Sequence, residues 1–528
     1  MPTRLSIQRF GTPSDPICNL GRATIADMQD DHSSEIASTT IKTTAGAVRG
    51  SRVGGIRRFL GIPYAAPPAG ALRFSEPQPV AASVTIRDAT RPGPNAPQRI
   101  RDVPGLAVRA LVGDGWVEGD DYLTLNVWTP ESGTTLPVMV FIHGGGFVLG
   151  SKDAPVQDGS SFARDGVVCV AMNYRMGING FLPIPGVPTN LGLRDMIASL
   201  RWVQDNIASF GGDAGNVTVF GESAGAMAIA DLMTSPLAKG LFHRAIIESG
   251  HGGMTRDVTI AQRLVKKLAK LLKIAPDRTG FASIAPGDAL DAVEKVSLPM
   301  TRLDLRGPDG REPVFGISRF VPVHGDDVLP EPPLDALKKG AGAEIDLLIG
   351  TNAEEMNLYL IPSGVRDKIG RLLATYVLHR SQPNARKVLR AYGMGQKGRK
   401  PGQALTDAMN DLVFRWPARR FAEEHQGRTH VYEFEWRSPL FGGELGASHA
   451  MEVPFVFDTL PVATGNEGLC GPNPPQALAE RVHKIWLDFA RDGTLPWPAF
   501  TRENRNVHHL AAAETIHERP MAAAPFLP

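Results

Sequence analysis

From Val138 onward the chain alternates two kinds of apolar pattern. Short runs dominated by Val, Ile, Leu and Phe occur at 136–142, 217–220, 245–248 and 345–349, and such runs read as strands buried within a sheet. Between them, Leu193, Ile197, Leu200, Val203 and Ile207 recur at spacings of three and four, with Asn190 as candidate N-cap and Gly211-Gly212 as the stop, which predicts a helix. A second stripe, Ile260, Leu264, Leu268 and Leu271, shares its helix with Lys266, Lys267, Lys270 and Lys273. A basic amphipathic helix can lie on a membrane surface, but a cap helix with a solvated face is the favoured reading. The alternation predicts an α/β fold: a large, mostly parallel central sheet with helices on both faces. It lapses into helical segments and polar loops at 252–319 and 357–428, expected as insertions, while 391–402 and 464–475 read as surface loops. Residues 1–40 are polar and weakly patterned, expected as a flexible leader to one catalytic domain over 41–528.

The run at 217–220 leads directly into Gly221, Glu222, Ser223, Ala224 and Gly225, followed by a helix-prone stretch over 224–233. Small residues two positions either side of a serine allow a strand-to-helix turn so sharp that the hydroxyl stands exposed at its apex. A helix-capping serine is the simpler alternative. A nucleophilic Ser223 needs an oxyanion hole, a base and a carboxylate that orients the base. The run at 136–142 ends in His143, Gly144, Gly145, Gly146 and Phe147; glycine N–H groups can approach a developing oxyanion closely, so Gly145, Gly146 and Ala224 are the candidate donors. A dinucleotide-binding turn fails here, because its third small residue would fall at Leu149. The carboxylate is expected after another strand, where 345–349 runs into Gly350 and on to Glu355, and the base on a later loop, where small residues flank His449.

With these pieces in place the chain resembles the type-B carboxylesterases, the family of bacterial para-nitrobenzyl esterases, liver carboxylesterases and cholinesterases. The resemblance spans about Thr44 to about Phe500 and rests on RFLGIPYAAPPAGALRF (58–74), LTLNVWTP (123–130), FIHGGGFVLGS (141–151), NYRMGINGFL (173–182), the block 190–226, the Glu355 and His449 segments, and WLDFARDGTLPWPAF (486–500). It implies an α/β-hydrolase fold, a Ser223, Glu355, His449 triad and an oxyanion hole from Gly145, Gly146 and Ala224. It further implies that Glu222 joins the hydrogen-bond network of the site, that Ser249 helps hold Glu355, and that the insertions wall a gorge. By family position His251 and Met254 lie near the acyl pocket as candidate substrate contacts, although a turn held by three glycines accounts for them equally. Exported members usually carry a disulfide whose two partners are here Ala96 and Tyr122.

Composition narrows the function. Only three cysteines occur in 528 residues, Cys18, Cys169 and Cys470, and residues 1–34 contain no apolar stretch of secretory length; a cytoplasmic location is expected. No run of 18 apolar residues exists, so no membrane span is expected. A net charge of +1 provides no long-range field for nucleic acid or an anionic membrane. Neither HExxH nor a P-loop is present, and no metal or cofactor is needed. Aromatic residues are only 7% of the chain, and Trp116, the one candidate for a choline site, does not fall at the family spacing. The expected activity is hydrolysis of a small-molecule carboxylic ester by a serine hydrolase. An amidase or carbamate hydrolase on the same triad is the alternative, and a non-catalytic interaction module is more remote because Ser223, Glu355 and His449 are all present.

Overall fold

The expected strands pair into one sheet. The structure, a computed structural model, describes residues 38–298, 301–312 and 316–527. In chain order the strands are β1 (Ser38–Thr43), β2 (Gly46–Val53), β3 (Ile56–Pro63), β4 (Thr124–Pro130), β5 (Leu136–Ile142), β6 (Val168–Met172), β7 (Gly212–Glu222), β8 (Arg244–Glu248), β9 (Asp346–Asn352), β10 (Thr429–Phe434), β11 (Asn506–His509) and β12 (Glu514–His517). They lie in the order β1-β2-β3-β4-β6-β5-β7-β8-β9-β10-β11-β12, with the short strand Arg87–Asp88 beside β2. Every pairing from β6 to β11 is parallel, and antiparallel strands flank this block. β1 begins at Ser38, three residues inside the segment expected as leader; residues 1–37 lie outside the described residues.

The continuous apolar runs are explained by burial on two faces. In β5, Val138, Val140 and Ile142 enter one core while Met139 and Phe141 enter the other. The same alternation separates Ala245 and Ile247 from Ile246, and Leu347 and Ile349 from Leu348. A strand's period of two sends neighbouring side chains to opposite faces, so a sheet covered on both sides needs apolar residues at every position.

The helix Leu191–Asn206 buries Leu193, Ile197, Leu200 and Val203, as its spacing predicts, and Gly211 (φ 89°) ends the following turn. Asn190 departs from its expected role. Its backbone is left-handed (φ 56°) and its side chain makes no cap; the amide instead clamps both backbone groups of Val323, donating at 2.7 Å and accepting at 2.8 Å. The helix Val258–Leu272 buries Ile260, Leu264, Val265 and Leu268 and packs on the helix Pro286–Ser297. Its apolar stripe is therefore internal, which removes the membrane-surface reading of that helix. Further helices fill the second insertion, among them Arg371–His379, Ala385–Ala391, Pro401–Met409 and Trp416–Glu424.

Candidate active site

β7 turns into the helix Ala224–Thr234 through a single residue. Ser223 holds φ 57° and ψ −120°, a conformation costly for any residue with a Cβ and kept only where the surroundings dictate it. Here its N–H extends the ladder to the Glu248 carbonyl (2.9 Å) while its own carbonyl accepts the first helical bond, from Met227 (2.8 Å). The glycines of the motif have a specific reason. A Cβ on Gly221 would stand 2.5 Å from the Ile142 carbonyl oxygen, and one on Gly225 only 1.9 Å from it. Strand and helix both rest on that one peptide group.

The two distant residues converge on this serine. His449 Nε2 lies 2.8 Å from Ser223 Oγ, and its Nδ1 lies 2.6 Å from Glu355 Oε2. Glu355, wholly buried, accepts the Asn352 N–H at 2.7 Å through its other oxygen. The His449 N–H donates to the Glu355 carbonyl at 3.2 Å. This fixes the tautomer: Nδ1–H toward the carboxylate, with the Nε2 lone pair toward the serine hydroxyl. Glu222 Oε1 stands 3.0 Å from the same Nε2 and makes no hydrogen bond of its own.

Burial pushes the His449 imidazole down, but the Glu222 and Glu355 carboxylates outweigh it and hold the group well above its ordinary value. Tyr359 is pushed up to about 12 by burial, so at neutral pH it is an uncharged phenol and the carboxylates supply the attraction. Two further acids lie nearby. Burial lifts Glu248 to about 8 despite the indole N–H that Trp486 donates at 2.7 Å, and lifts Glu452 well above the carboxylate range.

The glycine loop after β5 runs against this elbow. A Cβ on Gly144 would meet Glu222 Oε2 at 2.6 Å and Ser223 Cβ at 3.1 Å. Gly145 and Gly146 hold φ of 105° and 62°, and the Gly145 carbonyl closes the turn by accepting from Val148 and Leu149, each at 3.1 Å. The N–H groups of Gly145 and Gly146 donate to no acceptor among the described residues. Ala224 opens its helix, where a first-turn N–H has no intrahelical partner. Three amides are thus left to meet a ligand oxygen.

Several supports carry no local sequence pattern. Ser318, from the first insertion, shares its hydroxyl proton between the Gly146 carbonyl (2.8 Å) and the Phe320 carbonyl (2.9 Å). The buried His143 ring stacks on Tyr174 (4.4 Å between centroids, 17°) and bonds the Gly144 carbonyl through Nδ1 at 2.9 Å. Burial lowers its pKa to about 4, so it is a neutral N–H donor. Phe414 and Tyr359 flank the His449 ring at 4.9 and 5.5 Å.

Above Ser223 is a cavity of about 290 Å³ with mainly apolar walls, including Leu111, Val148, Met227, Met254, Leu358 and Phe414. Met254 therefore lies where expected, but His251 does not line this cavity. Its buried ring is consumed by the backbone, Nε2 with the Val413 carbonyl (2.8 Å) and Nδ1 with the Gly253 N–H (3.0 Å). Ser249 also departs from expectation: its hydroxyl has no partner among the described residues, and both Glu355 oxygens are engaged by Asn352 and His449 instead. Trp116 lies outside the cavity walls. No helix among the described residues is long and apolar enough to cross a membrane.

A mostly parallel sheet carrying a half-buried serine at such a turn, open to a cavity, is the α/β-hydrolase fold. Residues 37–524 match the model of the carboxylesterase family, and the chain belongs to that family. It is similar to the para-nitrobenzyl esterase of Bacillus subtilis (strain 168), 34% identical over 91% of this chain and 96% of that one. It is also similar to the liver carboxylesterase of Sus scrofa, 33% identical over 84% of this chain and 83% of that one. Among solved structures, the Geobacillus stearothermophilus carboxylesterase EST55 superposes with a TM-score of 0.79 at 31% identity, covering 93% of this chain and 100% of that one. A PNB esterase superposes with a TM-score of 0.73 at 33% identity, covering 89% and 96%. The protein is a carboxylic ester hydrolase. The esterase names of these relatives favour that activity over amide cleavage.

Proposed function

We propose that Ser223 is the nucleophile of this hydrolase, His449 its general base and acid, and Glu355 the carboxylate that orients the base. The observation that carries the reading is the unbroken chain from Glu355 Oε2 through His449 to Ser223 Oγ, at 2.6 and 2.8 Å. Ser223 Oγ attacks the ester carbonyl carbon as its proton passes to His449 Nε2. The carbonyl oxygen becomes an oxyanion held by the N–H groups of Gly145, Gly146 and Ala224. Collapse expels the alcohol, protonated by His449, and leaves an acyl-serine. Water then attacks, its proton taken by His449, and the acid departs as Ser223 is reprotonated. Glu222, 3.0 Å from Nε2, stabilises the imidazolium formed in each half.

The apolar walls favour uncharged acyl and alcohol groups of modest size, as small-molecule ester substrates. The reading extends to a single catalytic domain, since one apolar core includes residues from Ile41 to Ala523. It also extends to a cytoplasmic location, supported by the buried free thiols of Cys169 and Cys470. Ser223→Ala should lower hydrolysis of para-nitrophenyl butyrate by several orders of magnitude and abolish the mass increase of an acyl-serine in rapid-quench spectra. Retention of most of the activity refutes the assignment.

A further inference from the structure

The second insertion turns apolar side chains toward water. Its helix Arg371–His379 buries only Ala374 and Leu378, while Leu372, Leu373 and Tyr376 are 86%, 50% and 66% exposed. Leu372 and Leu373 stand four and three residues before Tyr376, so the three side chains share one helical face. The adjacent helix Ala385–Ala391 supplies Arg386, Lys387 and Arg390 to an open groove of about 1040 Å³, which also takes in Arg371, Leu372 and Tyr376. No acidic residue lines that groove among the described residues. The ion pairs of this region belong to Arg366, Arg380, Arg399 and Lys400; among the described residues none pairs with Arg371, Arg386, Lys387 or Arg390. The chain's net charge of +1 conceals this local excess.

We propose that this face docks on an anionic lipid surface, with Leu372, Leu373 and Tyr376 entering the headgroup layer and Arg371, Arg386, Lys387 and Arg390 paired with lipid phosphates. Cations ringing exposed apolar residues is what an anionic bilayer surface matches on both counts. A nucleic acid or an acidic peptide would be met by the cations alone and gives no reason for a leucine 86% exposed. A second copy related by a two-fold axis would set cations against cations. Both helices pack on Pro401–Met409, which continues into the π-helical turn Asn410–Arg415 carrying Phe414 of the cavity wall. Docking would therefore set against the lipid, in which apolar esters dissolve, two helices that pack on the helix leading into that cavity wall. The inference does not depend on the role of Ser223.

The test is flotation of the full chain with phosphatidylcholine vesicles, with and without phosphatidylglycerol. Binding to the anionic vesicles alone is expected, weakening with added salt. Arg386→Glu/Arg390→Glu should lower the bound fraction at least about tenfold. Leu372→Ser/Tyr376→Ser should also lower it severalfold, and all variants should hydrolyse soluble para-nitrophenyl butyrate at the parental rate. Absence of preference for anionic vesicles overturns the proposal. So does a Leu372→Ser/Tyr376→Ser protein that binds undiminished, which leaves the exposed apolar residues without a part in docking. A parental dimer in sedimentation that these substitutions dissolve likewise overturns it in favour of self-association.

Discussion

Glu222 is the residue whose charge can be removed with least change of shape, and the position of its carboxylate fixes what should follow. At 3.0 Å from His449 Nε2, a unit charge is worth about 1.4 kcal/mol to an imidazolium in a water-like dielectric and about 5.5 kcal/mol at an effective dielectric of about 20. Since Glu222 faces a cavity that opens to solvent, the lower figure is the safer minimum, and it corresponds to about one pKa unit. The sign follows from the mechanism. In the proposed mechanism only neutral His449 accepts the serine proton, so kcat/KM climbs as pH rises through its pKa, which the structure holds above the ordinary imidazole value. Glu222→Gln removes one of the charges responsible, and the acid limb of kcat/KM should move to lower pH by at least about one unit. Initial rates of para-nitrophenyl butyrate hydrolysis between pH 4 and 9, with stability verified at each pH, measure it. An acid limb that stays in place, or moves to higher pH, would falsify the electrostatic role given to Glu222.

Gly225→Ala would drive a Cβ to 1.9 Å from the Ile142 carbonyl oxygen, backbone against backbone. The turn must open, and kcat for the same ester should fall by more than about a hundredfold with a clear drop in Tm. Ser318→Ala removes the hydroxyl that bonds the Gly146 carbonyl; a fall in kcat of about tenfold with little change in KM is expected, read by steady-state kinetics. Burial depresses His251 and His143 to about 4, below their unfolded value near 6.5. Each therefore contributes stability that is fully present above about pH 6.5 and is lost as pH falls toward 4, up to about 3 kcal/mol per ring. Chemical denaturation across that window should show the loss, and His251→Gln should flatten its slope while leaving the ester acyl-length preference unchanged.

The parts of this molecule that reside in contiguous sequence were legible there. The elbow around Ser223, the glycines after β5 and the buried parallel strands are local patterns, because tight turns and two-sided burial impose residue types at fixed spacing. Glu355 and His449 needed more, since strand-end logic gives only their neighbourhoods and the family resemblance selected the residues. What remained hidden was held by contacts distant in sequence. Ser318 reaches Gly146 across 172 residues, and the ring of His143 owes its state to Tyr174. His251 was misjudged for the same reason: its partner is the Val413 carbonyl, 162 residues away. Asn190 looked like a cap but folds into a clamp on Val323. The apolar stripe at 260–271 announced itself by periodicity, and it packs inward with Lys266 and Lys270 exposed, as the favoured reading of a cap helix has it. The exposed leucines of Arg371–His379 lie on a helix whose pattern gave no warning of which side would be covered.

One carbonyl, that of Ile142, bears both the strand and the helix that flank Ser223, and the next residue begins the loop of the proposed oxyanion donors. Attacking atom and receiving amides are thereby gauged from a common datum, with no moving part between them. The machinery is ready before any substrate arrives. On slow heating, turnover and the circular dichroism of the sheet should accordingly fail at the same temperature, because the strand and the helix flanking Ser223 rest on the same peptide group.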